Sequence, residues 1–152
     1  MPARLQSLET WAAALMDRIG PAGCRQLALQ IARELRTRNM RRMRAQQDPD
    51  GAPWQPRKSS SGRRRKSVKT APMMRGLATA KWLRTAATQS AATVSFAGRA
   101  QRIARIHHFG ERAAVNFPRG PMYDYPAREL LGLADDDLER IGDMVLARVS
   151  GR

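Results

Sequence analysis

The segment Asp48-Pro49-Asp50-Gly51-Ala52-Pro53-Trp54-Gln55-Pro56 excludes more conformations than any other part of this chain. Pro49 fixes its own φ, Asp50 tolerates turn geometry and Gly51 accepts φ > 0, which predicts a tight turn over 48–51. Trp54 follows between Pro53 and Pro56. An indole flanked by prolines is badly placed in a regular helix or a central strand. Two uses remain for it: an anchor from the loop into the core, since aromatics carry large burial energies, or a contact between subunits.

Upstream of this corner the pattern is helical. Leu8, Trp11, Ala12, Leu15 and Ile19 recur at helical spacing and predict a first helix over 7–19, with Ser7 as N-cap and Glu9 in the first turn. Gly20-Pro21 breaks it, and Pro21 is suited to open a second helix over 22–45. Leu27, Ile31 and Leu35 mark its buried stripe, with Cys24 and Ala28 beside them. Arg38, Arg41, Arg42 and Arg44 crowd its last turns, where cations complement the helix dipole; a solvated face is expected there.

Downstream, Met73-Met74-Arg75-Gly76-Leu77 reads as a short link. Residues 82–87 and 92–97 read as weak strands around Thr88-Gln89-Ser90-Ala91, with Val94 and Phe96 on one face. A helix is expected over 99–109, with Ala100, Ile103, Ile106 and His107 inward and Gly110 as C-terminal cap. Residues 115–118 and 123–125 suggest a further edge pair. Ala134-Asp135 opens a last helix whose stripe is Ile141, Val145 and Val149. The reading is α+β: an N-terminal helical pair, a small antiparallel sheet with a packed helix, and a C-terminal helix. It predicts one domain over 1–152 with a flexible basic loop at about 57–72.

That loop concentrates the charge. The chain of 152 residues carries a formal +15, and Arg57, Lys58, Arg63, Arg64, Arg65, Lys66 and Lys69 fall in one stretch without an acid. The Ser59-Ser60-Ser61-Gly62 run and the cations after it lack apolar surface to offset ordering entropy, so the loop is expected to be mobile until a partner arrives. Such a field favours nucleic acid or another acidic surface, a merely solvated loop being the plain alternative, and the absence of interleaved aromatics points away from base stacking. From Ala127 onward the balance reverses, with Glu129, Asp135, Asp136, Asp137, Glu139 and Asp143.

Catalytic patterns are missing. His107-His108 point about 100° apart on a helix and have no completing Cys or carboxylate, so a packed or hydrogen-bonded His107 is expected rather than a metal ligand. Asp135-Asp136-Asp137 reads as a capped, solvated helix start. Cys24 stands alone, which rules out an internal disulfide and predicts a small buried helix residue. No phosphate-cradling loop or nucleophile elbow is present. No run approaches the roughly 18–20 apolar residues of a membrane span, and Met1-Pro2-Ala3-Arg4 leads into an amphipathic stretch rather than a secretory signal. A soluble protein of a reducing compartment is expected, without cofactor, metal, membrane or small-molecule substrate.

The strings Pro53-Trp54-Gln55-Pro56-Arg57, Phe96-Ala97-Gly98-Arg99-Ala100, Ile103-Ala104-Arg105-Ile106-His107 and Tyr125-Pro126-Ala127-Arg128-Glu129-Leu130-Leu131-Gly132-Leu133 occur in an order and spacing that resemble the virion morphogenesis, or tail completion, family of contractile-tailed phages and prophages. The resemblance implies a structural part of the virion tail or neck, made in the host cytoplasm, with no enzymatic activity. It implies a ring of copies, six by analogy with tail symmetry, that completes the tail or joins it to the head. The implied partners are further copies of itself, other tail or neck proteins, and DNA in the channel. Trp54, Tyr125, Pro126, Arg128, Glu129 and Leu130 are its candidate structural or interface residues. A sequence-independent nucleic-acid-binding protein is the alternative.

Overall fold

The computed structural model of the protein describes residues 2–58 and 72–151. It is α+β, with four helices and two separate two-stranded antiparallel sheets among the described residues. Helix α1 spans Pro2–Met16 and α2 spans Gly20–Ala45. Strands β1 (Leu83–Ala87) and β2 (Ala92–Phe96) form a hairpin; α3 covers Arg99–Phe109; β3 (Arg112–Asn116) pairs with β4 (Arg119–Asp124); α4 covers Asp135–Val149. The described residues fall into two compact units.

The first unit takes the chain up to Arg38, Arg84–Ser95, and the residues from Leu133 onward. Helix α1 starts and ends earlier than its apolar spacing predicts, so Ser7 is no cap: it lies inside the helix and its Oγ donates to the Ala3 carbonyl at 2.9 Å. Leu5, Leu8, Ala12 and Leu15 are half-buried where α1 packs along α4, while Trp11 is exposed. On α2 the buried line is Cys24, Leu27, Ala28 and Ala32, with Ile31 and Leu35 only half-covered. The acidic start of α4 differs from the solvated terminus expected. Asp136 is exposed, but Asp137 is fully buried: its Oδ2 accepts from the Ala134 N–H at 2.9 Å and its Oδ1 pairs with Arg38 Nη1 at 3.3 Å. Arg38 Nε also donates to Glu34 Oε1 at 3.0 Å, and Arg140 lies 3.5 Å from the same oxygen. The hydrogen bond from Arg38 holds the Glu34 carboxyl below its ordinary value, and the same bond raises Arg38. Arg38 is thus a tie between two helices rather than part of a solvated face.

The second unit comprises the described residues of Asn39–Leu83 together with Phe96–Gly132. Its core is Met43, Trp54, Leu77, Ala78, Ala100, Ala104 and Leu130, with Met74, Trp82 and Phe96 packed on it. Helix α3 has the bounds its periodicity predicts and ends at Gly110, whose φ of 69° places it in the left-handed region. Its inner face is Ala100 and Ala104, whereas Ile103 is 46% exposed. Both alanines belong to the cluster that holds Trp54 and Leu130, where close packing suits small side chains at the contact positions. Strands β3 and β4 pair Arg112 with Asp124, Ala113 with Tyr123 and Ala114 with Met122; the register then slips before Asn116 meets Arg119.

Candidate functional site

The second unit contains a corner built from three stretches far apart in sequence. The end of α2 hands the chain to Gln46 at φ 59°, after which Gln47 pairs with Pro53 across the 48–51 turn. The turn closes through Gly51 N–H to Asp48 O and Asp48 N–H to Ala52 O, both 2.9 Å. Trp54 N–H then donates to Gln46 O at 2.7 Å, which delivers the indole to the core. The Gln46 side chain holds a second stretch: its amide donates to Met73 O at 2.9 Å and its oxygen accepts from Met73 N–H at 2.8 Å.

Against this corner lies the extended stretch from Tyr125 to Gly132. It belongs to no sheet, so its polar backbone groups need other partners. They find them one by one. Tyr125 N–H donates to Glu111 O (3.3 Å) and Arg128 N–H to His107 O (2.8 Å). Glu129 N–H goes to Asp48 Oδ1 (3.0 Å), Leu130 N–H to His108 Nδ1 (3.2 Å) and Gly132 N–H to Asn39 Oδ1 (3.0 Å). Arg42 Nη2 donates to the Gly132 carbonyl at 3.1 Å. A Cβ at Gly132 would run into the Pro49 ring and the Glu129 carboxylate, so only glycine permits this approach. Gly110 is equally confined, because a Cβ there would lie 2.8 Å from Ala127 N.

Arg128 is the deepest cation of the corner, buried to 4% exposure. Its Nε and Nη2 both donate to the Gln55 carbonyl, at 3.0 and 2.9 Å, with Pro56 O 3.5 Å from Nη2. Burial lowers its pKa from the ordinary arginine value, which leaves it a cation. Beside it His107 is packed edge-on to Tyr125 at 4.8 Å. Burial first, then the charges of Arg128 and Arg57, depress the His107 pKa to about 4, so this imidazole is neutral at pH 7.

The six residues of the signature therefore sit in one place. Trp54 and Leu130 are in the core, Arg128 is buried, Tyr125 and Pro126 are half-buried, and Glu129 is exposed. Of the basic run, Arg57 and Lys58 are described: both are exposed, and Lys58 Nζ lies 5.1 Å from the Tyr123 ring centroid. Arg63, Arg64, Arg65, Lys66 and Lys69 lie outside the described residues. Three residues essential to the corner escaped sequence reasoning: Asn39, His108 and Gln46. Only Asn39 left a signal, since it continues the buried line of α2 between Ala32 and Met43 at helical spacing.

Among the described residues no helix is long and apolar enough to cross a membrane, and no cluster of His, Cys, Asp and Glu could hold a metal ion. No solved structure is significantly similar to this chain. At the sequence level it is 35% identical over 136 residues to tail completion protein S of Escherichia phage P2, covering 89% of this chain and 90% of that protein. The profile of the phage virion morphogenesis family matches residues 3–150. A match over nearly the whole length, through both units and the Trp54–Arg128 corner, means that the chain belongs to the phage virion morphogenesis family.

Proposed function

We propose that this protein is a structural, non-catalytic part that completes a phage tail, assembling as a ring of copies in the virion and contacting other tail or neck proteins. The observation that carries the reading is the likeness to tail completion protein S across 89% of the chain. The corner supports it physically. Its polar groups are spent on holding backbone: Arg128 on Gln55, Asp48 on Glu129, Asn39 on Gly132. Such a site presents a fixed shape rather than a poised nucleophile or base. A ring uses heterologous contacts, in which one patch meets a different patch on the next copy, and six copies are proposed by analogy with the symmetry of the tail. The test is the mass of the purified protein and of the form recovered from virions; a monomer in both overturns the ring, and its absence from virions overturns the structural role.

The +15 charge favours a second contact, with DNA passing through the ring. Arg57, Lys58, Arg63, Arg64, Arg65, Lys66 and Lys69 are its candidate residues, binding phosphate without reading sequence. Replacing Arg63, Arg64, Arg65 and Lys66 with Ser then flattens the salt dependence of duplex binding by up to about 0.9 log units per lost contact. Unchanged DNA binding with fewer infectious particles would assign the run to an acidic protein surface instead. Unchanged binding and unchanged yield would remove it from function.

A further inference from the structure

We propose that the arginine–aromatic face of α3 receives the acidic face of α4 from a second copy of this chain. The inference rests on the self-assembly reading above and names the two surfaces that would make the contact.

The first surface lies on the second unit. Arg99, Arg102 and Phe109 share one side of α3 at i, i+3 and i+10, and all three are exposed, Phe109 to 68%. Arg102 lies over Phe117, its guanidinium carbon 3.3 Å from the ring centroid; Phe117 is itself 68% exposed. Arg99 sits 5.3 Å from the Trp82 centroid. Neither arginine has a carboxylate partner among the described residues, although the neighbouring Arg105 and Arg112 do, in Glu111 and Asp124. Two cations resting on aromatic rings, with apolar surface beside them, form the kind of patch that is enriched at the centre of protein interfaces. Guanidinium is also less costly to desolvate than ammonium.

The second surface lies on the first unit. Asp136, Glu139, Asp143 and Leu146 fall at i, i+3, i+7 and i+10 on α4, all exposed, Leu146 to 50%. The three acids have no cationic partner among the described residues, unlike Asp135, which pairs with Arg4 at 2.9 Å. Each stripe runs ten residues, about 15 Å at the rise of an α-helix. Laid side by side in one direction, the arginines of α3 oppose the acids of α4, and Phe109 opposes Leu146. Charge sign, length and the apolar end all match, which selects a second copy as the occupant. The two patches differ, so the contact is heterologous and can propagate around a ring.

Two variants of the full chain test it: Arg99→Glu with Arg102→Glu, and Glu139→Arg with Asp143→Arg. Each variant alone juxtaposes like charges and is expected to weaken self-association at least about tenfold, read by sedimentation. An equimolar mixture of the two is expected to regain assembly, because each then offers the complement of the other. Circular dichroism checks folding; if either pair unfolds, neutral Gln and Asn replacements at the same positions carry the comparison. Wild-type assembly by each variant, or no recovery in the mixture, overturns the contact while leaving the ring intact. A wild-type protein that never self-associates, alone or in particles, overturns the ring reading and this inference with it. Loss of duplex DNA binding by the α3 variant with assembly unchanged would make the same arginines a phosphate surface, against the proposal.

Discussion

Arg128 places both Nε and Nη2 on the carbonyl of Gln55, 73 residues earlier in the chain, at 3.0 and 2.9 Å. The fork replaces a strand ladder that the sequence around Gln55 cannot supply, since Pro53 and Pro56 offer no N–H. A planar guanidinium can hold that carbonyl with two parallel donors, and an ammonium cannot. Arg128→Lys is therefore expected to lower stability by about 1.5–3 kcal/mol, the range for hydrogen bonds to charged groups. Urea unfolding measures it; a loss under about 0.5 kcal/mol, typical of surface positions, would show that the fork is not what fixes the corner.

Trp54 is 6% exposed and stands in the core beside Leu130. Its removal leaves a large cavity, so Trp54→Ala should cost about 3–5 kcal/mol. The indole Nε1 has no hydrogen-bond partner among the described residues. Phe at this position therefore loses volume but no polar contact, and about 1–2 kcal/mol is expected. Equal losses in the two variants would mean that the indole nitrogen matters and has a partner in the assembled protein.

Local rules reached some of this architecture and not the rest, for identifiable reasons. The bounds of α3 and its Gly110 cap were legible because a helix and its left-handed terminus are decided within a few residues. Which side of α3 faces inward was not, because the choice of Ala100 and Ala104 over Ile103 is made by core residues distant in sequence, Met43, Trp54 and Leu130 among them. The start of α1 was misplaced because Ser7 is as able to bond back to Ala3 as to cap a helix. The Tyr125–Leu133 stretch stood out through the family resemblance, yet two of its backbone groups are held by Asp48 and Asn39, which lie 81 and 93 residues away. Asp137 looked like one of three solvated acids; its pairing with Arg38, 99 residues away, together with the Ala134 N–H, accompanies its burial.

Gly132 offers a steric test of that long-range fit. Ala at this position drives its methyl into the Pro49 ring, within a turn that has little freedom to move. A cost of about 1–3 kcal/mol is expected, as for other overpacked sites. Pro49→Ala should relieve part of it, so the double variant is more stable than the sum of the singles implies. Additive losses would show that the clash is relaxed elsewhere.

The Arg38–Asp137 pair predicts an asymmetry. Removing Arg38 takes a guanidinium away from a fully buried carboxylate, for which about 3–5 kcal/mol is expected. Removing Asp137 leaves Arg38 with Glu34 at 3.0 Å, so Asp137→Ala should cost less, about 2–3 kcal/mol. Chemical unfolding of the two single variants decides it. A larger loss from Asp137→Ala would assign the main contribution of this carboxylate to the Ala134 N–H and the start of α4.

His107 gives the protein a defined weakness to mild acid. Its pKa is near 4 in the fold against an ordinary value of 6.5, with burial as the leading cause and Arg128 and Arg57 adding to it. Below pH 6.5 the unfolded chain takes up a proton that the folded chain refuses, so stability present above 6.5 declines as pH falls toward 4 and changes no further on this account below it. Glu34, held low by Arg38, adds a loss that begins only below its ordinary 4.5 and does so whatever stands at position 107. Phe at 107 keeps an edge contact with Tyr125 and removes the titrating group; the backbone carbonyl that holds Arg128 N–H is untouched. The expected result is a thermal midpoint that falls less between pH 6.5 and 4 in His107→Phe than in the natural protein. Parallel profiles across that window would place the origin of acid sensitivity elsewhere.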